Sequence, residues 1–241
     1  MIYSFSRLSL YVQCPLRFYW KYIEKRSEPI TEPLALGKAV HHSLEMIIKN
    51  GLSIEEAIYE GWIHTNFFPL KRFEMQWLIR NARAAQGMGR VEEHFLLPLS
   101  TSPFSPNIQG YIDLHNYSWL LDWKTNRKTY GINDSMQVLL YAWALMQKFG
   151  VSEVKGTLYF LRYKLPVSAI FDNHQAEKAR LWAYDTAMEI DEKRFLINDY
   201  PNKVNQLFPP KPSSICKHCP WALECYQKKN TQRERSIWHL I

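Results

Sequence analysis

The stretch GYIDLHNYSWLLDWKT, residues 110–125, constrains the fold more than any other part of the chain. It reads as two strands, 108–114 and 119–125, separated by the turn-like HNYS. Strand side chains alternate between faces, so Asp122 and Lys124 share one face while Leu121 and Trp123 take the other. A four-residue loop at 115–118 pairs Leu114 with Trp119, Asp113 with Leu120 and Tyr111 with Asp122. Asp113, Asp122 and Lys124 then meet on one side, with the two carboxylates as diagonal neighbours about 7–8 Å apart between Cα atoms. A wetted face carrying a charge pair is one reading. The apolar character of both strands favours another, because buried carboxylates need a partner or a metal.

The rest of the chain supplies helices around these strands. Residues 6–25 read as an amphipathic helix rich in aromatic and basic groups, followed by a loop near Pro29 and Pro33. Apolar positions 36, 40, 44, 47 and 48 predict a helix from Leu36 to Asn50, stopped by Gly51. Further helices are expected at 53–66 and 71–90, and a strand at 91–98. Asn133 or Asp134 can cap a helix running to about Phe149; 154–163 reads as a strand and 173–197 as a long helix. FPPKPSS then connects to a cysteine cluster. This order implies an α/β domain, a mixed sheet flanked by helices with small terminal segments attached.

Three smaller patterns point to chemistry. In LGKAVHHSLE, His41 borders the apolar face of positions 37, 40, 44 and 48, whereas His42 falls with Lys38, Glu45 and Lys49. His41 therefore points inward, either as a satisfied core residue or as a third ligand beside two carboxylates. Gln137 and Tyr141 lie one turn apart on a helix whose neighbouring positions are apolar, and facing a polar cleft they could hold a substrate backbone. Cys216-x2-Cys219-x5-Cys225, with Cys14 as the remaining cysteine, suits an all-cysteine zinc site or an iron–sulfur cluster. A single C-x2-C knuckle favours the cluster, since four-cysteine zinc more often shows two.

The net charge of +7 favours a polyanionic partner. No segment approaches the roughly 18 consecutive apolar residues of a membrane helix. The N-terminus lacks the features of a secretory signal, so the expected setting is intracellular and cytoplasmic, without a membrane partner. Disulfides are not expected there.

Together these motifs resemble the RecB-like branch of the PD-(D/E)XK nuclease superfamily. The likeness is greatest to the iron–sulfur nuclease module of AddB-type recombination proteins and to CRISPR-associated exonucleases. SRLSLYVQCPLRFYWKYI is similar to the family's N-terminal segment, GKAVHHSLE to its G-x-x-x-H element, GYIDL to its first acidic motif, LDWKT to D-x-K, QVLLY to Q-x-x-x-Y, and the tail to its cysteine motif. Residues 51–90 form a longer helical insert than compact CRISPR-associated members need, and no G-x-x-x-x-G-K-[ST] segment occurs.

The resemblance implies a restriction-endonuclease-like core and metal-dependent hydrolysis of DNA by an exonuclease acting on single-stranded ends. It assigns Mg2+ or Mn2+ to His41, Asp113, Asp122 and the backbone carbonyl of Trp123, with Lys124 beside the attacking water. It assigns a 4Fe–4S cluster, with structural Zn2+ as the alternative, to Cys14, Cys216, Cys219 and Cys225. Gln137 and Tyr141 would position the strand, while Arg17, Phe18, Tyr19, Trp20 and Lys21 would hold phosphates and stack bases. One nuclease domain over 1–241 is expected, divided into an N-terminal helix (1–30), a helical portion (36–90), a catalytic core (91–200) and a cluster segment (208–241). Protein partners in a recombination, repair or CRISPR adaptation complex are implied. A non-catalytic DNA-binding subunit and an endonuclease are the alternatives.

Overall fold

The computed structural model describes residues 1–227. Six strands among them form one mixed sheet: β1 (Ile2–Ser4), β2 (Arg90–Pro98), β3 (Asn107–Asn116), β4 (Trp119–Lys124), β5 (Glu153–Phe160) and β6 (Leu165–Asp172). β1 pairs in parallel with the start of β3, β2 runs antiparallel along β3, and β4 leaves β3 as a hairpin. β4 pairs in parallel with β5, and β5 antiparallel with β6. The helices include α1 (Phe5–Gln13), α2 (Pro15–Phe18), α3 (Glu32–Asn50), α4 (Ile54–His64), α5 (Arg72–Ala82), α6 (Met136–Phe149), α7 (Asn173–Asp199) and α8 (Val204–Leu207), with a π-helical turn at Tyr19–Ile23. This is the α/β architecture that the element order implies. No helix among the described residues is long and apolar enough to cross a membrane.

The described residues form two compact units, Met1–Phe5 with Ile30–Asp185, and Ser6–Pro29 with residues 186–227. In the first unit, Leu44, Ile48, Ile58, Met75 and Leu78 of α3–α5 pack with Leu114 and Trp123 of the sheet. The next residue, Lys124, bonds to Gln137 of α6, so α6 covers the opposite face of β4. In the second unit, Tyr11 sets its ring edge against Phe18 and Phe208, and its hydroxyl donates to Glu189 at 2.7 Å.

Several boundaries differ from the sequence expectation for local reasons. The helix expected over 6–25 breaks at Cys14, which is extended (φ −159°), because Pro15 cannot donate to a continuing helix and instead opens α2. The helix expected over 71–90 ends at Ala82, where Arg83 turns left-handed (φ 53°). Ser135, not Asn133 or Asp134, caps α6 by accepting from Val138 N–H. The strand expected to reach 163 stops at Phe160, and the chain returns as β6, a strand absent from the sequence expectation. Pro166 sits on this edge strand, where a missing donor is tolerated.

α3 and α4 approach closely at Ser43 and Gly61. Ser43 Oγ lies 2.8 Å from Ala39 O and 2.7 Å from Ala57 O, and a Cβ at position 61 would fall 2.6 Å from that Oγ and 2.7 Å from the Ala39 carbonyl. Gly61→Ala gains up to about 1 kcal/mol of helix propensity but overpacks a backbone contact costing about 1–3 kcal/mol. Urea unfolding is expected to show net destabilisation; an unchanged or higher midpoint would mean that the two helices separate freely.

Candidate metal centre

The hairpin that carries the acidic residues is tighter than a four-residue loop. Asn116 pairs with Trp119, His115 with Leu120 and Leu114 with Leu121, leaving Tyr117 (φ 45°) and Ser118 as the loop. The backbone ladder runs to Leu114–Leu121, and beyond it the Asp113 carboxylate accepts from Trp123 N–H at 2.8 Å. Simple alternation also fails along β3. Asp113 reaches His41 of α3, yet the adjacent Leu114 packs with the same α3–α5 layer. On the neighbouring strand the pairs Val91–Leu114 and Glu93–Ile112 flank Glu92, which adopts a left-handed φ of 48°. A non-glycine residue in that region disturbs a strand. Asp113 is therefore turned toward α3, while Lys124 points toward α6; the expected common face is corrected to a junction between the two layers.

His41 is the hub of this junction. Its Nε2 donates to the Trp123 carbonyl at 3.0 Å, and its Nδ1 lies 3.4 Å from Asp113 Oδ2 and 3.9 Å from Glu92 Oε1. One potential ligand atom from each of His41, Glu92 and Asp113 lies within 4.8 Å of the others. The sequence reading missed Glu92. Its signal was a paired acid, Glu92–Glu93, in an expected strand, but which acid faces inward depends on the left-handed turn. Asp122 is 2% exposed, with Lys124 Nζ 2.5 Å from its Oδ2. Lys124 also donates to Gln137 Oε1 at 2.9 Å, and Gln137 Nε2 donates to Tyr141 Oη at 3.3 Å. Gln137 and Tyr141 are thus joined to Lys124, with Tyr141 buried against Phe95.

The remaining expected site residues lie in the second unit. Cys14, Cys216, Cys219 and Cys225 are free thiols lining one recess. Arg17 pairs with Glu28 at 3.0 Å, and Lys21 binds the other oxygen of the same carboxylate.

A family model described as the PD-(D/E)XK nuclease superfamily matches residues 2–226. The chain belongs to the PD-(D/E)XK nuclease superfamily. A solved structure described as "Crystal structure of SSO0001" is similar over 87% of this chain and 94% of its own, at 15% identity and a TM-score of 0.38. No curated protein matches the chain. Membership implies nuclease activity dependent on a divalent metal, with DNA as the substrate.

The donor set of this PD-(D/E)XK nuclease fits such an ion. Carboxylates suit Mg2+ or Mn2+, an imidazole among them favours Mn2+, and one ligand atom from each of His41, Glu92 and Asp113 is within reach of a common ion. Burial alone lowers the His41 pKa, but Asp113, Asp122 and Glu92 outweigh it and raise it to about 9. Burial, then Asp113, raises Glu92 to about 7. Burial and Asp113 likewise push Asp122 up, against the opposing pull of Lys124. Burial also lowers the Lys124 pKa, and Asp122 more than restores it.

A cation bound at His41, Glu92 and Asp113 must displace these protons. Below about pH 9 the His41 proton opposes binding, and below about pH 7 that of Glu92 does as well. Mn2+ affinity is therefore expected to rise about tenfold per pH unit between pH 7 and 9, flattening above that range. Calorimetric titration in buffers of different ionisation enthalpy should register protons released on binding. An affinity independent of pH over this range would place the ion elsewhere.

Proposed function

We propose that this nuclease is a metal-dependent DNA exonuclease that trims single-stranded ends inside the cell, in recombination, repair or CRISPR adaptation. Mg2+ or Mn2+ is assigned to His41, Asp113, Asp122 and the Trp123 carbonyl, with Glu92 as a further carboxylate beside His41 and Asp113. The observation that carries the reading is the packed array in which Lys124 pairs with Asp122 and is held by Gln137, one residue from the carbonyl bonded to His41. The restriction to strand ends rests on the motif resemblance.

Hydrolysis joins a water oxygen to phosphorus, breaks one phosphorus–oxygen ester bond, and transfers a proton to the leaving oxygen. A divalent ion would neutralise phosphate charge and make water a better acid at neutral pH. Lys124 remains charged beside Asp122 and is placed to orient the attacking water or balance charge in the transition state. Gln137 holds the ammonium group in position, and buried Tyr141 holds Gln137. His41 fixes the Trp123 carbonyl, and Asp113 fixes the adjacent Trp123 N–H.

The four cysteines are assigned to a 4Fe–4S cluster. The described residues lining their recess include no carboxylate or imidazole, and thiolates are the usual ligands of such clusters. Anaerobically purified protein is expected to carry about four iron atoms and four sulfides, and Cys216→Ser to lose them. Stoichiometric zinc without sulfide would replace the cluster with the alternative.

The activity test compares end-labelled linear single-stranded DNA with a closed single-stranded circle in Mn2+ or Mg2+. Wild type is expected to shorten the linear strand and leave the circle closed, Asp122→Ala to be inert, and Lys124→Ala to fall about 10²–10³-fold. Opening of the circle would make the enzyme an endonuclease; cleavage of neither substrate would sink the proposed catalytic function.

A further inference from the structure

Residues 125–131 follow the catalytic strand directly and lead to a surface with no role so far. Three depressions in the first unit share walls. Pro33 lines both the His41–Glu92–Asp113 cleft and a recess containing Thr125 and Arg127. Arg127 also lines a third recess with Lys128 and Tyr163. The cleft thus continues along the loop after Lys124 toward the β5–β6 turn.

The chemistry of this path changes along its length. Arg162 is neutralised by Glu74 and donates to the Thr125 carbonyl at 2.8 Å, so it serves the fold. Arg127 and Lys128 are exposed and have no ion-pair partner among the described residues. Two aromatic rings accompany them. Tyr163 is 51% exposed and donates its hydroxyl to the Arg127 carbonyl at 2.5 Å, tying the loop to the β5–β6 turn. Tyr130 is 39% exposed and rests its ring against Phe160, with its hydroxyl beside Lys124 and Asn126. Unpaired cations attract phosphates, and exposed rings accept bases that are not already stacked in a duplex.

We propose that Arg127, Lys128, Tyr130 and Tyr163 form a binding shelf for single-stranded DNA, holding the flank of the strand whose scissile phosphate lies in the cleft. This inference rests on the nuclease reading and adds the route by which the strand approaches. Arg127 and Lys128 hold backbone phosphates, and the tyrosines hold bases.

The test uses the full chain without added divalent metal and measures labelled dT20 binding by fluorescence anisotropy over a range of salt. Arg127→Gln/Lys128→Gln is expected to weaken binding about tenfold and reduce the salt slope by about 1.4, two phosphates at about 0.7 each. Tyr163→Ala is expected to weaken binding about tenfold, whereas Tyr163→Phe, which keeps the ring, should do so less. Unchanged Mn2+ affinity and thermal midpoint would tie these losses to the shelf. No wild-type binding of dT20, variants that bind like wild type, or tighter binding of a duplex would each overturn the shelf. Cleavage is scored separately in Mn2+. A wild type that binds dT20 through the shelf but cuts no DNA loses the nuclease reading alone, whereas one that cuts while the variants bind normally loses the shelf alone.

Discussion

Three carboxylates, Glu92, Asp113 and Asp122, crowd around two basic groups, His41 and Lys124, at the junction of two packed layers. Asp113 and Asp122 are almost removed from water, where like charges repel strongly and ionised groups lose their hydration. The molecule relieves this by retaining protons on Glu92, keeping His41 charged, and setting Lys124 against Asp122. A divalent ion offers a second solution to the same imbalance. That accounts for an acidic pocket in a basic chain: the local deficit of positive charge gives a cation something to bind.

Such a balance depends on position, and the surrounding structure supplies it through short-range packing. His41 is carried by α3, whose opposite side is seated against α4 where Ser43 and Gly61 allow close approach. Trp123 contributes three contacts at once: its indole joins the α3–α5 cluster, its N–H is held by Asp113 and its carbonyl by His41. Shifts in the hydrophobic layer would thus reach the charged layer through one residue. On the other face, Tyr141 and Gln137 hold Lys124 through a hydrogen-bonded chain.

The second unit uses charge differently. Glu28 is buried enough for its carboxyl pKa to be pushed up, yet Lys21 and Arg17 together lower it. These two cations are engaged in an internal pair, in contrast to exposed Arg127 and Lys128. Arg17 also lines the cysteine recess. The basic aromatic segment therefore contributes to the packing around the thiols, with Trp20 set edge-on to Trp221 and Arg26 lying over its ring.

The sequence by itself determined the α/β class, the inward turn of His41, the hairpin with its D-x-K strand, and the grouping of four cysteines. The first three follow from short-range periodicity, turn chemistry or motif spacing, whereas grouping Cys14 with the distant Cys216, Cys219 and Cys225 rests on ligand chemistry and the family resemblance. It did not show Glu92 as a member of the site or the break in alternation at Asp113, because both depend on a left-handed residue whose neighbours are in other strands. Nor did it show β6, whose pairing partner and edge position make Pro166 acceptable. Tertiary structure decided which acid meets His41, which face receives Lys124, and which cations stay unpaired. The physical reason is that burial and electrostatic balance are properties of a location, and a location is created by residues far apart in the chain.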